Sequence, residues 1–481
     1  MRRGCDRSAG IRRQFSAVSF AKRGLRPGGN VTRARPLRRI LGLGFGLAFT
    51  FGTMVGVGIL RLPGTVAAAA GTATLIIVCW CVGALYALMG AVSVSELAAM
   101  YPEAGGFRVY ARRAFGERAG FIVGWVDWLS AASTLAYAAV SAVEFSGTFW
   151  PALAQYQTVA AVAILAIFTA LHCAGLRIGS TVTSVVSATI GILLFILIVG
   201  CFFAPHATQP VGSGGIAGNT GQVVSTGGLL ALVPALRALL TAYDGWYAPI
   251  YTAEESVDAA RTLPRAIIGG ALLVAGFYLA INVALLRVLS VPDLAASTLP
   301  VATAAQIALP RGSASLITAL SILIVLSLIN SQSLCGPRVL FSMGREGWIS
   351  QKAAAVNRGG TPYVALAATT LTASAMILTG SFNQIIALFA VLILLYYSAA
   401  FLAVFVLRRR FPKAARPYRA FGYPVSTFVA LLGSICFLVA AIVEDWHSGL
   451  TALLFLSLCI PAYAFASRSR ARLPEFAPDP S

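Results

Sequence analysis

The chain has 481 residues, 58% hydrophobic and only 11% charged, with a formal net charge of +20. A soluble fold of that composition would expose more apolar surface than water tolerates, so the chain belongs in lipid. Its basic residues stand in short runs between apolar segments rather than on one soluble module, which argues against nucleic acid as a partner and marks them as topology signals.

Residues 1–38 are rich in arginine and nearly free of acid. The plainer reading is a basic cytoplasmic tail; a targeting segment shares the composition, but no adequate apolar run follows Arg12 and Arg13. Apolar windows then predict about twelve transmembrane helices, near 40–62, 70–98, 118–149, 157–175, 181–204, 227–256, 264–289, 314–342, 362–380, 383–407, 422–443 and 449–466. Alternate connections differ sharply in charge. One side carries the tail, Arg108, Arg112, Arg113, Arg118, Arg177, Arg261, Arg265, Arg345, Lys352, Arg358, the run from Arg408 to Arg419, and Arg468, Arg470 and Arg472. The other side holds little beyond Arg61, Arg287 and Arg311. Both termini are therefore expected in the cytoplasm of a multi-pass plasma (inner) membrane protein. The Gly/Ser-rich stretch from about 207 to 227 reads as an external connector.

Two spans carry the marks of interruption. In the first, Gly52, Gly56 and Gly58 crowd the middle of the apolar run; in the sixth, Asp244, Gly245 and Pro249 stand at comparable depth. Five spans separate the breaks, so the chain divides into two sets of five with opposite orientation, followed by two extra helices: residues 39–408 form the transport core, 409–467 the last two helices and 468–481 a cytoplasmic tail. Interrupting a helix in lipid frees N–H groups at one half-helix start and carbonyls at the other half-helix end. An amino acid supplies both complementary charges, its carboxylate suiting the N–H groups around Gly56, Val57, Gly58 and Ile59. The competing reading is that these glycines merely allow close helix packing.

Four segments, Gly56–Leu60 with Pro63 and Gly64, Pro102–Gly106 through Gly116, Ala242–Trp246 through Ala266, and Arg338–Phe341 with Gly344–Gly347, resemble the amino acid/polyamine/organocation superfamily of permeases. L-type and related bacterial amino acid transporters look nearest. The resemblance implies an all-α, five-plus-five inverted repeat, alternating access, and an amino acid held between the two broken helices. By position it puts Thr53, Met54, Gly56, Val57, Gly58 and Ile59 on one side of the substrate and Thr241, Ala242, Tyr243, Asp244 and Trp246 on the other. The chain departs from the family where relatives carry an aromatic gate, here Thr241, leaving a wider pocket or Tyr243 to close it. It departs again at Ile190, midway along the fifth helix, where many proton-coupled or exchange-type relatives carry a lysine.

Asp244 suits a substrate ammonium, a coupling proton, or a cap on the second half-helix. Arg237, two turns earlier, is placed to pair with it. Arg61 and Arg237 are expected to line the outer vestibule, tilting the substrate toward neutral or acidic amino acids and away from polyamines. Asp127 is a candidate proton site, whereas Glu96 and Glu144 read as structural. Ser327, Ser331 and Ser333 suit either a sodium ion or their own backbone. The eight cysteines and three histidines show no metal-binding or nucleophile spacing. No metal, cofactor or enzymatic role is expected, nor a channel filter. The function read from the sequence is secondary amino acid transport, as exchanger or proton symporter; the alternatives are a polyamine or organocation carrier, or a transport-inactive sensor of the same fold.

Overall fold

The computed structural model describes residues 37, 39–204, 232–310, 313–380, 382–444, 457 and 459–471. The basic tail other than Leu37, the 207–227 connector and residues 472–481 lie outside the described residues.

Among the described residues the fold is built from helices, joined by a single isolated bridge between Leu41 and Ser256. The first predicted span is a helix pair, α1 (Leu43–Met54) and α2 (Val57–Ala70), bent by 47° at the break. It runs past the predicted end at 62 because Pro63 is accommodated inside α2. There follow α3 (Ala73–Met100), the short α4 (Phe107–Phe115), α5 (Glu117–Ser146), α6 (Gln157–Ala174) and α7 (Leu176–Phe203). The second half opens on α8 (Val233–Ala242), which breaks at Tyr243 and resumes as a 3-10 segment, Ala248–Glu255. After it come α9 (Ala259–Val288), the short α10 (Val291–Ala296) and α11 (Pro300–Ala308), α12 (Ser313–Arg345), α13 (Tyr363–Thr379) and α14 (Phe382–Arg410). Then α15 (Val425–Glu444) and α16 (Cys459–Ala471) complete the described chain, α16 extending past the predicted boundary at 467.

The two halves repeat one order: a broken helix, then helices of 28 and 30 residues, short connecting helices, then pairs of 30 and 33, 18 and 17, and 28 and 29 residues. The second broken helix comes five spans after the first, so the repeat is inverted. The short helices accordingly sit at opposite ends: α4 with the arginine-rich connections, α10 and α11 with Arg287. Among the described residues, seven helices are each long and apolar enough to cross a bilayer, and the bent α1–α2 pair makes eight. Of the remaining predicted spans, α13 with 17 residues is only about 26 Å long.

None of the short helices was anticipated from the sequence. In α4 the apolar Phe107, Tyr110, Ala111 and Ala114 recur at helical spacing and are buried, while Arg112 and Arg113 reach outward. Their charges had been read only as loop signals. Arg108 instead turns inward and is fully buried, donating to Ser342 Oγ (2.6 Å) and Glu346 (2.6 Å).

Acids meet the arginines at that end. Arg112 bonds Glu346 and Glu103, Arg345 bonds Glu254 (2.7 Å), and Arg338 pairs with Glu255 (3.0 Å). The Glu255 carbonyl accepts from the amides of Ile40 and Leu41, and Leu41 in turn accepts from Val257, so the start of α1 is tied to the end of the 3-10 segment. Glu96, buried at the end of α3, takes Arg408 (2.9 Å), Arg416 (3.0 Å) and the Ala420 amide (2.7 Å), a structural role.

Candidate functional site

The break in the first span leaves Val55 and Gly56 in extended conformation, with no side chain capping the start of α2. Its first N–H groups and the positive end of its dipole therefore face the break. In the sixth span Gly245 has φ +103°, and a Cβ there would come within 2.8 Å of the Thr53 carbonyl. Only glycine permits both that turn and that approach.

Beside the breaks lies a cavity of about 340 Å³, extending along α2 toward the arginine-poor end. Thr53, Met54, Gly56, Gly58, Arg61, Thr241 and Asp244 line it, as do residues the sequence reading missed: Thr65 on α2, Thr134, Tyr137 and Ser141 on α5, Leu328 and Gln332 on α12, and Phe389 on α14. The spacing of Thr134, Tyr137 and Ser141 places three polar groups on one face of α5 and was the available signal.

The glycines divide between the two readings. A Cβ on Gly52 would stand 2.4 Å from Ser187 Oγ, and one on Gly58 2.8 Å from Ala242 Cα, so both serve close packing, although Gly58 also lines the cavity. A Cβ on Gly56 would come no nearer than 3.7 Å to Leu328, and Gly56 lines the cavity.

Ile59, Ala242, Tyr243 and Trp246 are buried and are not among the lining residues. Tyr243 points away behind α8, its hydroxyl donating to the Trp80 carbonyl (3.1 Å) and its ring packed on Trp80 and Tyr278, so it is held off the cavity and does not close it. Trp246 packs on Tyr397 and against Gly90. The Met54 carbonyl freed by the break already accepts from Tyr278 (2.8 Å). The side chains of Val57 and Arg237 lie outside the described residues, and with them the expected Arg237–Asp244 pair.

Asp244 accepts from Tyr397 (2.5 Å) and Tyr247 (3.4 Å). Arg61 meets Glu144 at 3.6 Å and stacks over Phe145, so among the described residues its charge is paired with an acid. Asp127 lies deeper, accepting from Tyr251 (2.6 Å), and does not reach the cavity. Ile190 is fully buried in α7. Ser333 bonds the carbonyl of Ile329 in its own helix, while the hydroxyls of Ser327 and Ser331 are buried with no partner among the described residues. No group of three His, Cys, Asp or Glu side chains among the described residues is arranged to hold a metal.

On the arginine-rich side the cavity is closed by a packed aromatic layer. The Phe107 ring touches those of Tyr396 (4.7 Å), Tyr247 (5.1 Å), Tyr397 (5.6 Å) and Tyr251 (6.4 Å), all of them buried. The ion pairs of Arg108, Arg338 and Arg345 lie beyond it. Among the described residues the cavity thus extends toward the arginine-poor end and is backed by the aromatic layer at the other, an arrangement that fits one state of a two-sided carrier.

Comparison with known proteins agrees. The chain is 28% identical over 443 residues to the serine/threonine exchanger SteT of Bacillus subtilis, covering 90% of this chain and 98% of that one. It is 27% identical to the mouse b(0,+)-type amino acid transporter 1, covering 89% and 88%, and 28% identical to the human large neutral amino acids transporter small subunit 2, covering 82% and 76%. A family profile described as amino acid permease matches residues 46–460, and the chain belongs to that family.

Proposed function

We propose that the protein exchanges neutral amino acids across the plasma membrane by alternating access, with its arginine-rich end and both termini in the cytoplasm. The observation that carries this is the uncapped start of α2 facing a cavity of about 340 Å³ lined with hydroxyl and amide groups. That volume suits a small solute, small-molecule sites spanning roughly 300–1,000 Å³. The substrate carboxylate takes the N–H groups of Gly56 to Ile59. Thr53, Thr241 and Asp244 face its ammonium, and Thr134, Tyr137, Ser141 and Gln332 face its side chain. Among the described residues the charge of Arg61 is met by Glu144, which supports a neutral side chain over an acidic one or a polyamine. The names of the relatives, a serine/threonine exchanger and a large neutral amino acid transporter, point to the same class.

Uptake of labelled serine, threonine and leucine into proteoliposomes, with and without unlabelled amino acid inside, tests the proposal. Uptake that depends on internal amino acid supports exchange. Binding without flux identifies a sensor, and neither binding nor flux rejects the reading.

A further inference from the structure

A second cavity, of about 650 Å³, lies at the arginine-rich end, away from the breaks. It sits between the first turns of α5, the turn that follows α12, and α16. Phe121, Trp125, Trp348, Ile349 and Phe465 give it apolar walls, and Lys352 lines it as well. The transport reading above uses none of these residues.

The walls are fastened to one another. Tyr463 on α16 packs its ring on Trp348 (5.3 Å) and Phe121 (5.4 Å), and Arg470 lies over the Trp348 ring (4.4 Å) while bonding Glu117 (3.3 Å). The Trp348 indole N–H donates to the same carboxylate (3.2 Å). These contacts hold α16 against α5 and the α12 turn yet leave the space between them unfilled by side chains. Phe465, 76% exposed, marks the side on which that space meets the membrane.

Charge and hydrogen bonding single out the occupant. Lys352 is exposed beside the cavity, Arg118 lies over the Tyr463 ring (6.0 Å), and Arg468 follows Phe465 by three residues, on the same face of α16. The acids nearby are already engaged: Glu117 by Trp348 and Arg470, and Glu346, next to Gly347, by Arg108 and Arg112. Positive charge is therefore in excess around an aromatic slot. The indole N–H of Trp125 is buried with no partner among the described residues, an expense that a bound oxygen acceptor removes. Basic pockets between helices on the positive side of a membrane protein take anionic head groups. A free anion would leave the aromatic walls uncovered, and a zwitterionic head group would bring its own ammonium to a cluster of like charge.

We propose that this cavity binds one anionic phospholipid from the leaflet at the arginine-rich end, its phosphate on Lys352 with Arg118 and Arg468, and an acyl chain along Trp125, Ile349 and Phe465. The lipid bridges α16 to α5 and to the turn leaving α12. Glu346, at the head of that turn, ties the same element to α4, so the bound lipid braces the packed arginine-rich end of the protein.

The test needs no transport, so its outcome is independent of the exchange reading. The full-length protein in micelles of a neutral detergent is titrated with phosphatidylglycerol carrying a dibrominated acyl chain, and quenching of tryptophan fluorescence is followed. Quenching is expected to saturate at a lipid fraction at least fivefold below that needed with the matching brominated phosphatidylcholine. Lys352→Ala is expected to raise the half-saturation point at least fivefold. Arg261→Ala, which removes an exposed charge from the same end of the protein, is expected to raise it less than twofold. Trp125→Phe is expected to lose part of the saturable quenching. Because a ligand of the folded state stabilises it, phosphatidylglycerol is also expected to raise the unfolding midpoint of the wild type more than that of Lys352→Ala. Equal quenching by the two lipids, unchanged quenching in Trp125→Phe, or equal weakening by Lys352→Ala and Arg261→Ala overturns the site in favour of unspecific lipid contact. Displacement of the brominated lipid by inorganic phosphate overturns the phospholipid as its occupant in favour of a free anion.

Discussion

Gly58 and Ala242 bring the two broken helices together backbone to backbone, a Cβ on Gly58 having only 2.8 Å to the Cα of Ala242. Side-chain bulk at this point must push one half-helix off the other and distort the cavity. Gly58→Val is expected to reach the membrane and to lose at least 90% of counterflow, as measured by surface labelling and uptake side by side. Wild-type flux in this variant would show that the contact is dispensable.

Glu346 ties α12 to α4. Burial opposes its charge, but Arg108, then Arg112 and Arg345, outweigh that and hold its carboxyl below its ordinary value near 4.5. A carboxyl lowered by folding stabilises fully above that ordinary value, and the contribution is lost as pH falls through the lowered one. The midpoint of thermal unfolding in detergent is therefore expected to fall on acidification below about pH 4.5 in the wild type. In Glu346→Gln it is expected to start lower and to vary less over the same range.

Arg338 and Glu255 form an ion pair with side chains 1% and 0% exposed. Removing one partner strands the other, at a cost of about 3–5 kcal/mol, while replacing both by apolar groups is often neutral. Arg338→Met is expected to lower the unfolding midpoint sharply, and Arg338→Met with Glu255→Leu to recover most of it.

Thr241 lines the cavity near the end of α8. Thr241→Phe is expected to narrow the passage and cut leucine uptake more than serine uptake, about tenfold against threefold. Gln332→Ala, which removes a polar cavity group from α12, is expected to raise the KM for serine about tenfold with little change in maximal rate. Both are read from initial uptake rates over a range of amino acid concentrations.

Both breaks were legible in the sequence because each weakens a helix locally: Gly56 and Gly58 in one apolar run, and Asp244 with Gly245 and Pro249 in another. What the breaks face was not legible. Thr134, Tyr137, Ser141 and Gln332 lie in unbroken helices, where a polar residue bonded to its own backbone looks the same as one lining a cavity. Tyr397 meets Asp244 across 153 positions of sequence, a pairing that no local pattern encodes. Nor did spacing show that Tyr243 turns away from the cavity, since that depends on Gly83 leaving room beside its ring.

The most direct test of the central claim, that solute occupies the cavity between the broken helices, is protection of a cysteine placed there. In a background with Cys5 and, among the described residues, the exposed Cys81, Cys173 and Cys436 replaced by serine, Thr241→Cys is treated with a small water-soluble thiol reagent in proteoliposomes. Modification is predicted to abolish counterflow and to slow at least tenfold in saturating serine or leucine. Modification at the same rate with and without amino acid, in a variant that still transports, would contradict the account.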